Sequence, residues 1–522
     1  MLEEVSGERE VWASLLGLLP PSLHVDSAPL KPSLTTSYVH GTSSFSLLPM
    51  TVGQSLETTV KLWPDREAVV CPEEGVRKTF AQFQEDVDKV AAGLLALGLK
   101  QGDRLGVWAH NIYEWILFQF ATAKAGIILV SLNTACEVKE MEFMLKKVQC
   151  KAVVCPAAFK TQRFCEMLRE ICPEIDTTRV VNNAYFMGLR MGYRSRKRQT
   201  LKCDESLCVS VPLYHCFGSV IAGISMAVHG ITLVFPSPGY SARANVEAIH
   251  SEKCNVMYGT PTMFIDMLSL PDLHKYNLSS LKIGLMGGSP CPPEILRKLK
   301  TDLNMSEITV GYGTTENSPV TFLGFPQDKE ELKINTAGCI MHHTEAKVVD
   351  PTSGQIVPLG VSGELMIRGT CVMHGYWGDP EKTKEVISQE GWYRTGDIAS
   401  LNSLGYCCIE GRIKDMIIRG GENIYPAEIE QFLYTHPKVQ EVQVVGVKDE
   451  RLGEQVCACI RLKEGQTSSA EEIRAFCQSQ IARFKIPHYV IFVDSYPMTA
   501  TRKVSSGLIP THLKHQYSPD VL

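Results

Sequence analysis

The sequence predicts an α/β protein with a large, multi-subdomain N-terminal α/β domain and a smaller C-terminal α+β domain. Three observations lead to this fold class. At 522 residues the chain is longer than one hydrophobic core usually supports. Helix-like and strand-like segments alternate from Thr51 onward, which is typical of a sheet covered by helices. After Val361 the pattern changes to short strands broken by glycines, and after Arg419 to a compact mixed unit.

The first fifty residues precede the alternating pattern. They are rich in Ser, Leu and Pro and show no sustained period, so we expect a loosely ordered lead-in over 1–50. Acidic residues outnumber basic ones in this stretch, which is unlike a mitochondrial presequence, and no secretory signal is recognisable.

Helices and strands then alternate through the large domain. Thr79 begins a capping box with Gln82, after which apolar residues recur at helical spacing. The hydrophobic pattern predicts these further elements: strands over 104–109, 126–132 and 152–155, and helices over 113–124 and 138–148.

The C-terminal part predicts a small β-rich subdomain beyond Val361, followed by a separate α+β unit. In that unit we expect a helix over 427–435, strands over 439–447 and 455–462, and a helix capped by Ser468 or Ser469. The predicted division is therefore a large domain at 51–413 and a small mobile domain at 415–504, joined at Lys414, with a divergent tail at 505–522.

Composition excludes several classes of function. A formal net charge of -5 gives no reason to expect a nucleic-acid partner. The 18 cysteines are scattered without zinc or disulfide spacing, as in reduced intracellular proteins. The longest apolar stretch, 217–235, is interrupted at Gly230 and predicts a buried helix, a turn and a strand rather than a transmembrane segment. The sequence does not indicate an oligomeric state.

Five short segments follow one another in a specific order. They are Pro-Leu-Tyr-His-Cys-Phe-Gly at 212–218, Tyr-Gly-Thr-Thr-Glu at 312–316, Tyr-Arg-Thr-Gly-Asp at 393–397, Gly-Arg-Ile-Lys-Asp at 411–415 and Gly-Gly-Glu-Asn-Ile-Tyr-Pro at 420–426. Together they resemble the core motifs of the acyl-adenylate-forming superfamily, which includes the AMP-forming acyl-CoA ligases. The resemblance extends from about Thr51 to Lys503, and the longer phrases are most similar to the medium-chain acyl-CoA synthetases.

The resemblance implies a two-step reaction. ATP and a fatty acid give an acyl-adenylate and pyrophosphate, and coenzyme A then displaces AMP to give the thioester. ATP, Mg²⁺ and CoA are thus the expected cofactor and co-substrates, and the partners are small molecules.

The resemblance also implies roles for residues around the nucleotide. Tyr312 stacks on adenine, and Gly288 lets the backbone approach the nucleotide closely. Gly313 and Thr314 belong to the same ATP-binding segment. Thr315 hydrogen-bonds the α-phosphate and Glu316 holds Mg²⁺, for which a carboxylate is a suitable hard ligand. Taken alone, Thr-Thr-Glu could equally be a helix N-cap with an acidic first turn.

The resemblance implies further roles for residues of the later motifs. By resemblance, Asp397 accepts hydrogen bonds from two ribose hydroxyls, although an Asp after a glycine is also a common turn residue. Arg412 contacts the ribose or phosphate, and Lys414 is the hinge of the small domain. Two glycines, Gly420 and Gly421, let the pantetheine arm of CoA pass. Lys503 resembles a catalytic lysine that stabilises the transferring phosphoryl group, with a solvated tail lysine as the alternative.

The acyl site is expected on the apolar side of these motifs. We interpret His215 as a wall of this site and not as a base, because the attacking carboxylate is already ionised near neutral pH. Tyr258, Gly259 and Thr260 are expected to line the acyl tunnel. No carboxylate nearby would receive a substrate amino group, which favours a plain acyl substrate.

The sequence departs from the family in two places. The family has a Ser/Thr/Gly-rich phosphate loop ending in Pro-Lys-Gly, which cradles the β- and γ-phosphates. This chain passes directly from a segment like the preceding helix, ending at Ile175, to one like the following helix, beginning at Val181, so the loop is absent near 176–181. In the last motif, Arg502 replaces a glycine.

These departures shape the functional expectation. We expect an ATP-dependent fatty acid–CoA ligase whose adenylation step is impaired. The alternative is a non-catalytic remnant that binds nucleotide, an acyl chain or a protein partner. A module that loads a carrier protein is disfavoured, because the sequence contains no recognisable carrier domain. The family resemblance implies a mitochondrial location, while the acidic start favours the cytoplasm.

Overall fold

The computed structural model describes residues 22–173, 204–419, 422–449, 451–478 and 480–496. Its longer helices are α1 Val52–Leu62, α2 Phe80–Ala96, α3 Tyr113–Ala125, α4 Val138–Val148, α5 Phe164–Ile171, α6 Ser225–His229, α7 Ala242–Glu252, α8 Pro261–Leu268, α9 Pro293–Asp302, α10 Glu330–Asn335, α11 Pro380–Val386, α12 Pro426–Leu433 and α13 Ala470–Cys477. The strands are β1 Ser22–His24, β2 Tyr38–Thr42, β3 Glu67–Cys71, β4 Val76–Thr79, β5 Arg104–Val107, β6 Ile128–Ser131, β7 Ala152–Val154, β8 Ser206–Val209, β9 Thr232–Val234, β10 Val256–Gly259, β11 Ile283–Gly287, β12 Glu307–Tyr312, β13 Phe322–Leu323, β14 Cys339–Ile340, β15 Thr344–Val349, β16 Gly363–Gly369, β17 Tyr393–Leu401, β18 Cys407–Arg412, β19 Ile417–Arg419, β20 Glu422–Ile424, β21 Val439–Asp449, β22 Gly453–Leu462 and β23 Tyr489–Phe492.

A nine-stranded sheet forms the centre of the large domain, in the order β14-β13-β12-β11-β10-β8-β9-β3-β4. The six strands from β12 to β3 in this order pair in parallel, and the flanking strands are antiparallel. Residues at the carboxyl ends of the parallel strands therefore lie at one edge. Gly259 pairs with Met286, and Gly287 pairs with Gly311. Ligands of open α/β sheets bind at this edge.

Helices α2 and α3 pack against each other, and α3 also contacts a smaller parallel sheet with the order β6-β5-β7. The capping box at the start of α2 is confirmed, because Thr79 Oγ1 accepts from the Gln82 amide at 3.3 Å and Gln82 Oε1 accepts from the Thr79 amide at 3.0 Å. Phe83 and Phe120 meet edge to face with ring centroids 5.5 Å apart, and both are fully buried. The predicted alternation of helices and strands is thus confirmed here, with boundaries that shift by one to two residues.

The prediction of a loosely ordered lead-in is wrong for residues 22–50. Strand β2 pairs with β15 in a six-stranded sheet of order β1-β2-β15-β16-β17-β18, and β1 extends that sheet at its edge. Val25 and Val39 are fully buried. These short strands carry no clear alternation of their own, because they join a sheet whose other strands begin some 300 residues later in the chain. The β-rich subdomain expected beyond Val361 forms the other half of this sheet.

The C-terminal unit has its own sheet, in the order β20-β19-β22-β21 with β23 paired to β22. Helices α12 and α13 occupy the predicted places, and Ser469 caps α13 by accepting from the Glu472 amide at 3.2 Å. The apolar segment that begins at Phe217 also follows the prediction of helix, glycine turn and strand. Its first part, Phe217–Ile224, is a π-helix, which the apolar pattern did not predict.

No helix within the described ranges is long and apolar enough to cross a bilayer. Several predicted features lie outside those ranges and receive no structural description. They are residues 1–21, the junction at 176–181, Gly420, Gly421, Lys503 and the tail at 505–522.

Candidate functional site

A cleft of about 960 Å³ lies at the carboxyl edge of the nine-stranded sheet. It is bounded by the ends of β11, β12, β17 and β18 and by the start of the π-helix. Ten of the residues predicted for the site line it, namely His215, Gly288, Tyr312, Gly313, Thr314, Thr315, Glu316, Asp397, Arg412 and Lys414. The cleft therefore combines motifs from four distant parts of the chain.

The end of β12 brings the first residues predicted to bind the nucleotide into the cleft. Tyr312 is the last residue of the strand and Gly313 begins the turn that follows. A Cβ atom on Gly313 would overlap the carbonyl oxygen of Pro319, so only glycine fits the turn as it stands. Gly288, after the neighbouring strand β11, has φ +87°, a conformation that glycine adopts without strain.

Asp397 lies across the cleft from β12, on strand β17. Its Oδ2 accepts a hydrogen bond of 2.5 Å from the Tyr312 hydroxyl, and its Oδ1 lies 3.4 Å from Nε of Arg412. Arg412 is the antiparallel partner of Asp397 on β18, which explains why the two side chains meet. The carboxylate is thus directed at the middle of the cleft and held by two donors.

Burial controls the ionisation of this pair. Asp397 is 5% exposed, and burial raises the pKa of its carboxyl group, although the Tyr312 hydrogen bond and the Arg412 charge oppose that shift. Burial, and then the charge of Asp397, raise the pKa of Tyr312 well above its usual range. Tyr312 therefore remains a neutral donor, and a carboxylate at Asp397 remains an acceptor for further hydroxyl groups.

Glu316 is the carboxylate that the sequence predicts as a Mg²⁺ ligand. Tyr376 donates to its Oε1 at 3.0 Å. No group of three or more potential metal-ligating side chains occurs in the described part of the chain. A single carboxylate still fits a Mg²⁺ ion that is bound mainly through substrate phosphates and water, because Mg²⁺ commonly uses one or two protein carboxylates in such sites.

Thr315 and Cys216 meet where the phosphate side of the cleft joins its apolar side. Thr315 is exposed to the cleft, and its Oγ1 lies 3.4 Å from Sγ of Cys216. His215 Nδ1 accepts from the backbone amide of Phe217 at 3.1 Å, which assigns that ring nitrogen as an acceptor in the free protein. This contact orients the ring along the wall of the cleft.

Apolar side chains line the remaining wall, contributed by Phe217, Ile221, Leu285 and Val320. Tyr258 lies behind Phe217, with stacked rings 6.3 Å apart, and is 1% exposed. Gly259 and Thr260 follow Tyr258 at the same sheet edge, but the three residues lie outside the cleft lining. The expectation that these three residues line the acyl tunnel therefore stays a prediction.

The lining also contains residues for which no role was predicted, among them Ile221, Leu285, Tyr376 and Thr395. Thr395 could have been found, because it lies inside the Tyr-Arg-Thr-Gly-Asp motif. Ile221 and Leu285 were hidden in apolar runs, in which periodicity cannot distinguish a cleft-facing position from a core position.

Comparisons with known proteins extend the geometric picture. The family model for AMP-binding enzymes matches residues 56–183 and 177–377, and the model for the C-terminal domain of AMP-binding enzymes matches 428–503. The chain is 54% identical to the mitochondrial medium-chain acyl-CoA ligase ACSF2 of Danio rerio, covering 92% of this chain and 91% of the relative. It is 44% identical to the protein of the same name from Homo sapiens, with 92% and 91% covered.

A solved structure shares the fold. The anthranilate CoA ligase AuaEII, in complex with anthranoyl-AMP, matches with a TM-score of 0.81 at 23% identity, covering 90% of this chain and 98% of that one.

The alignment with the Danio rerio relative is longer than the part of this chain that it covers. It spans 560 positions, whereas 92% of 522 residues is only about 480, so at about 80 positions the relative has residues and this chain has none. The family model also matches in two pieces that meet at 177–183.

Proposed function

The chain belongs to the AMP-binding enzymes as an AMP-forming acyl-CoA ligase, and from this premise we propose that it couples medium-chain fatty acids to CoA, with a weakened adenylation step. The observation that carries the proposal is the convergence of Tyr312, Asp397 and Arg412 on one cleft with an apolar wall. A flat ring, a carboxylate and a cation at these positions suit an adenosine monophosphate group, and the wall suits an acyl chain.

The residues of the cleft have complementary roles in adenylate binding. The Tyr312 ring offers its face to adenine, with Gly288 and the segment Gly313–Thr314 as close backbone neighbours. Asp397 accepts from the ribose hydroxyls, and Arg412 adds a charge-assisted contact on the ribose or phosphate side. His215, Phe217 and Ile221 exclude water from the acyl chain.

In the adenylation step a carboxylate oxygen of the fatty acid attacks the α-phosphorus of ATP, and pyrophosphate leaves. The Thr315 hydroxyl donates to an α-phosphate oxygen, and Lys503, outside the described residues, would neutralise charge that develops there. Mg²⁺, when bound, supplies further charge neutralisation at the phosphate oxygens, with Glu316 as its protein ligand.

In the second step the CoA sulfur attacks the acyl carbonyl carbon, the bond to the phosphate oxygen breaks, and AMP leaves. Rotation about Lys414 would bring Gly420 and Gly421 to the cleft, where their bare backbone leaves room for the pantetheine arm. Lys414 is exposed in a single 3₁₀ turn, Ile413–Asp415, which provides few contacts to resist such a rotation. The division into domains at 51–413 and 415–504 belongs to this proposal.

The acyl substrate is proposed to be a straight-chain acid of medium length. The apolar wall supports this choice, as do the relatives, which are named medium-chain acyl-CoA ligases. Glu364 on β16, which also lines the cleft, is paired with Arg394 at 2.5 Å and is not available for a substrate amino group.

Weak adenylation is proposed because the phosphate loop is missing. The gap of about 80 positions and the two-piece family match at 177–183 support its absence. Removing one preorganised donor to a developing oxyanion costs about 3 kcal/mol, and a loop supplies several such donors. The loop contacts the β- and γ-phosphates, which are gone once the adenylate has formed, so the second step should survive.

Two assays on soluble, monodisperse protein test this proposal. ATP–pyrophosphate exchange with octanoate measures the first step, and octanoyl-CoA formation from synthetic octanoyl-adenylate measures the second. We expect no more than trace exchange and measurable thioester formation. Robust exchange would show that the loop is dispensable. Folded protein that makes no thioester would favour the non-catalytic remnant, whose best support is the same gap.

A panel of acyl-adenylates tests the substrate class in the second assay. Octanoyl-adenylate should be used faster than benzoyl- or aminoacyl-adenylates, and a preference for either of the latter would contradict a medium-chain acyl site.

The compartment is proposed from the relatives, whose names place them in mitochondria. We therefore propose a mitochondrial location. Imaging of a carboxyl-terminally tagged chain against a matrix marker tests this, and exclusion of the tagged chain from mitochondria would contradict it.

A further inference from the structure

Asp397 lies within one irregularity of the six-stranded sheet and next to a second. The register of β16 and β17 shifts between Glu364 and Met366, and the register of β17 and β18 shifts between Ile398 and Ala399. Bulges next to functional sites redirect side chains that a regular strand would point elsewhere. The direction of the Asp397 carboxylate therefore depends on contacts that hold the turn Thr395–Asp397 in place.

The Thr395 hydroxyl makes two such contacts. It donates to the carbonyl oxygen of Leu365 on β16 at 2.8 Å and accepts from the backbone amide of Asp397 at 3.0 Å. Between them, Gly396 has φ +71°, which allows the turn but does not hold it. One hydroxyl thus connects the backbone of Asp397 to the neighbouring strand.

The other contact across this bulge acts on the strand and not on the turn. Arg394 pairs with Glu364, whose side chain is 4% exposed, through Nη2 and Nε. This ion pair holds β17 against β16 one residue before Thr395. No part of it reaches Asp397.

We propose that Thr395 is a positioning residue that aims the Asp397 carboxylate at the ribose of the adenylate, an inference that rests on the proposed function. Asp397 contacts the ribose, and Thr395 affects ribose binding by positioning Asp397. Without the hydroxyl, the buried amide of Asp397 and the carbonyl of Leu365 lose their partner, and the turn can relax toward regular strand geometry.

The test uses three substitutions and a stable mimic of the adenylate. Thr395→Val keeps the shape of the side chain without the hydroxyl, Thr395→Ser keeps the hydroxyl, and Ser400→Ala is a control on the same strand outside the cleft lining. The probe is octanoyl sulfamoyl adenosine, whose sulfamoyl group stands in for the α-phosphate, together with its 2′,3′-dideoxyribose analogue. Isothermal titration calorimetry on the full chain gives the affinities.

We expect T395V to bind the ribose probe about tenfold more weakly than wild type, while T395S and S400A bind as wild type does. The dideoxy analogue supplies the readout that a purely structural role would not change. Removal of the ribose hydroxyls should lower the affinity of the wild type at least about tenfold. It should lower the affinity of T395V by no more than about twofold, because Asp397 in that variant no longer contacts these hydroxyls.

Other results would contradict either this inference or the proposed function. Unchanged affinity of T395V, or an equal loss for T395V and wild type on the dideoxy analogue, would overturn the inference. Failure of the wild type to bind the probe would instead overturn the proposed function. If T395V does not fold, Thr395→Ala is measured in the same cycle and judged by the same two comparisons.

Discussion

The Tyr312 hydroxyl donates a 2.5 Å hydrogen bond to Oδ2 of Asp397, although 85 residues separate them in the chain. The contact joins the end of β12 in the nine-stranded sheet to β17 in the six-stranded sheet. Arg412 approaches the other carboxylate oxygen at 3.4 Å. In the free protein the Asp397 carboxylate is therefore held by a hydrogen bond from Tyr312 and an ion pair with Arg412. Under the proposed function Tyr312 would have two roles, an aromatic face for adenine and a hydroxyl for Asp397.

The two functions of Tyr312 can be separated by substitution. Tyr312→Phe keeps the ring and removes the hydrogen bond, so affinity for octanoyl sulfamoyl adenosine should fall about fivefold, as for the loss of one hydrogen bond of about 1 kcal/mol. Tyr312→Leu also removes the flat face and should weaken binding much further. Equal affinities for the two variants in calorimetric titrations would mean that the ring does not stack on adenine.

Ile221 should limit the length of the acyl chain. It lines the cleft from the π-helix, with Phe217 and Leu285 as neighbours in the wall. Ile221→Phe adds volume to this wall, so the preference for octanoyl- over butanoyl-adenylate in thioester formation should fall by about tenfold, the equivalent of about two methylene groups. Ile221→Val, which enlarges the space, is the matched control and should not reduce octanoyl use. An unchanged ratio for Ile221→Phe would place the acyl chain elsewhere.

Gly313 is expected to tolerate no side chain. Its Cβ would overlap the carbonyl oxygen of Pro319, which is backbone and cannot rotate away. Gly313→Ala should lower thermal stability and weaken probe binding together, because the turn carries Thr314 to Glu316. Gly93→Ala is the control. Gly93 is exposed in helix α2 with open space around it, so alanine there should stabilise the fold by about 1 kcal/mol. Calorimetric melting of both variants checks this, and a normal melt with normal binding for Gly313→Ala would contradict the steric argument.

Glu430 should make the stability of the small domain depend on pH. Burial raises the pKa of Glu430 to about 7 from 4.5, with a smaller contribution from the Asp415 charge, and the hydrogen bond from the Val444 amide opposes the shift. Between these two values the folded state binds more protons than the unfolded state, so stability falls as pH rises through this window. The free energy of unfolding should fall by about 3 kcal/mol in total, and the fall should be complete above about pH 7.

Glu430→Gln tests this expectation because its amide oxygen still accepts from Val444. It should melt close to wild type at pH 4.5 and above wild type at pH 8 in scanning calorimetry. Glu428→Gln is the control on the same helix, at an exposed residue paired with Lys485. It should differ from wild type by the same small amount at both pH values. A constant difference between Glu430→Gln and wild type would show that Glu430 does not titrate in this range.

Sequence and structure agree best where the signal is local. The capping box at Thr79, the cap at Ser469 and the helices over 113–124 and 138–148 depend on neighbouring residues, and the structure has all of them. The prediction of a loosely ordered lead-in failed for residues 22–50 because β1 and β2 are stabilised by a sheet formed far along the chain. The structure places Ile221 and Leu285 in the cleft lining, and the sequence could not distinguish them from core residues because both lie in apolar runs.

The sequence by itself determined the fold class, the family and the set of motifs, because each motif needs particular side chains within a few consecutive residues. Tertiary structure alone decided which of these side chains meet. Tyr312 and Arg412 meet the Asp397 carboxylate because the carboxyl ends of β12 and β18 and the first half of β17 lie at the same cleft. Contacts of this kind depend on sheet order and register. Order and register arise from interactions between residues far apart in the chain, so no local sequence pattern predicts them.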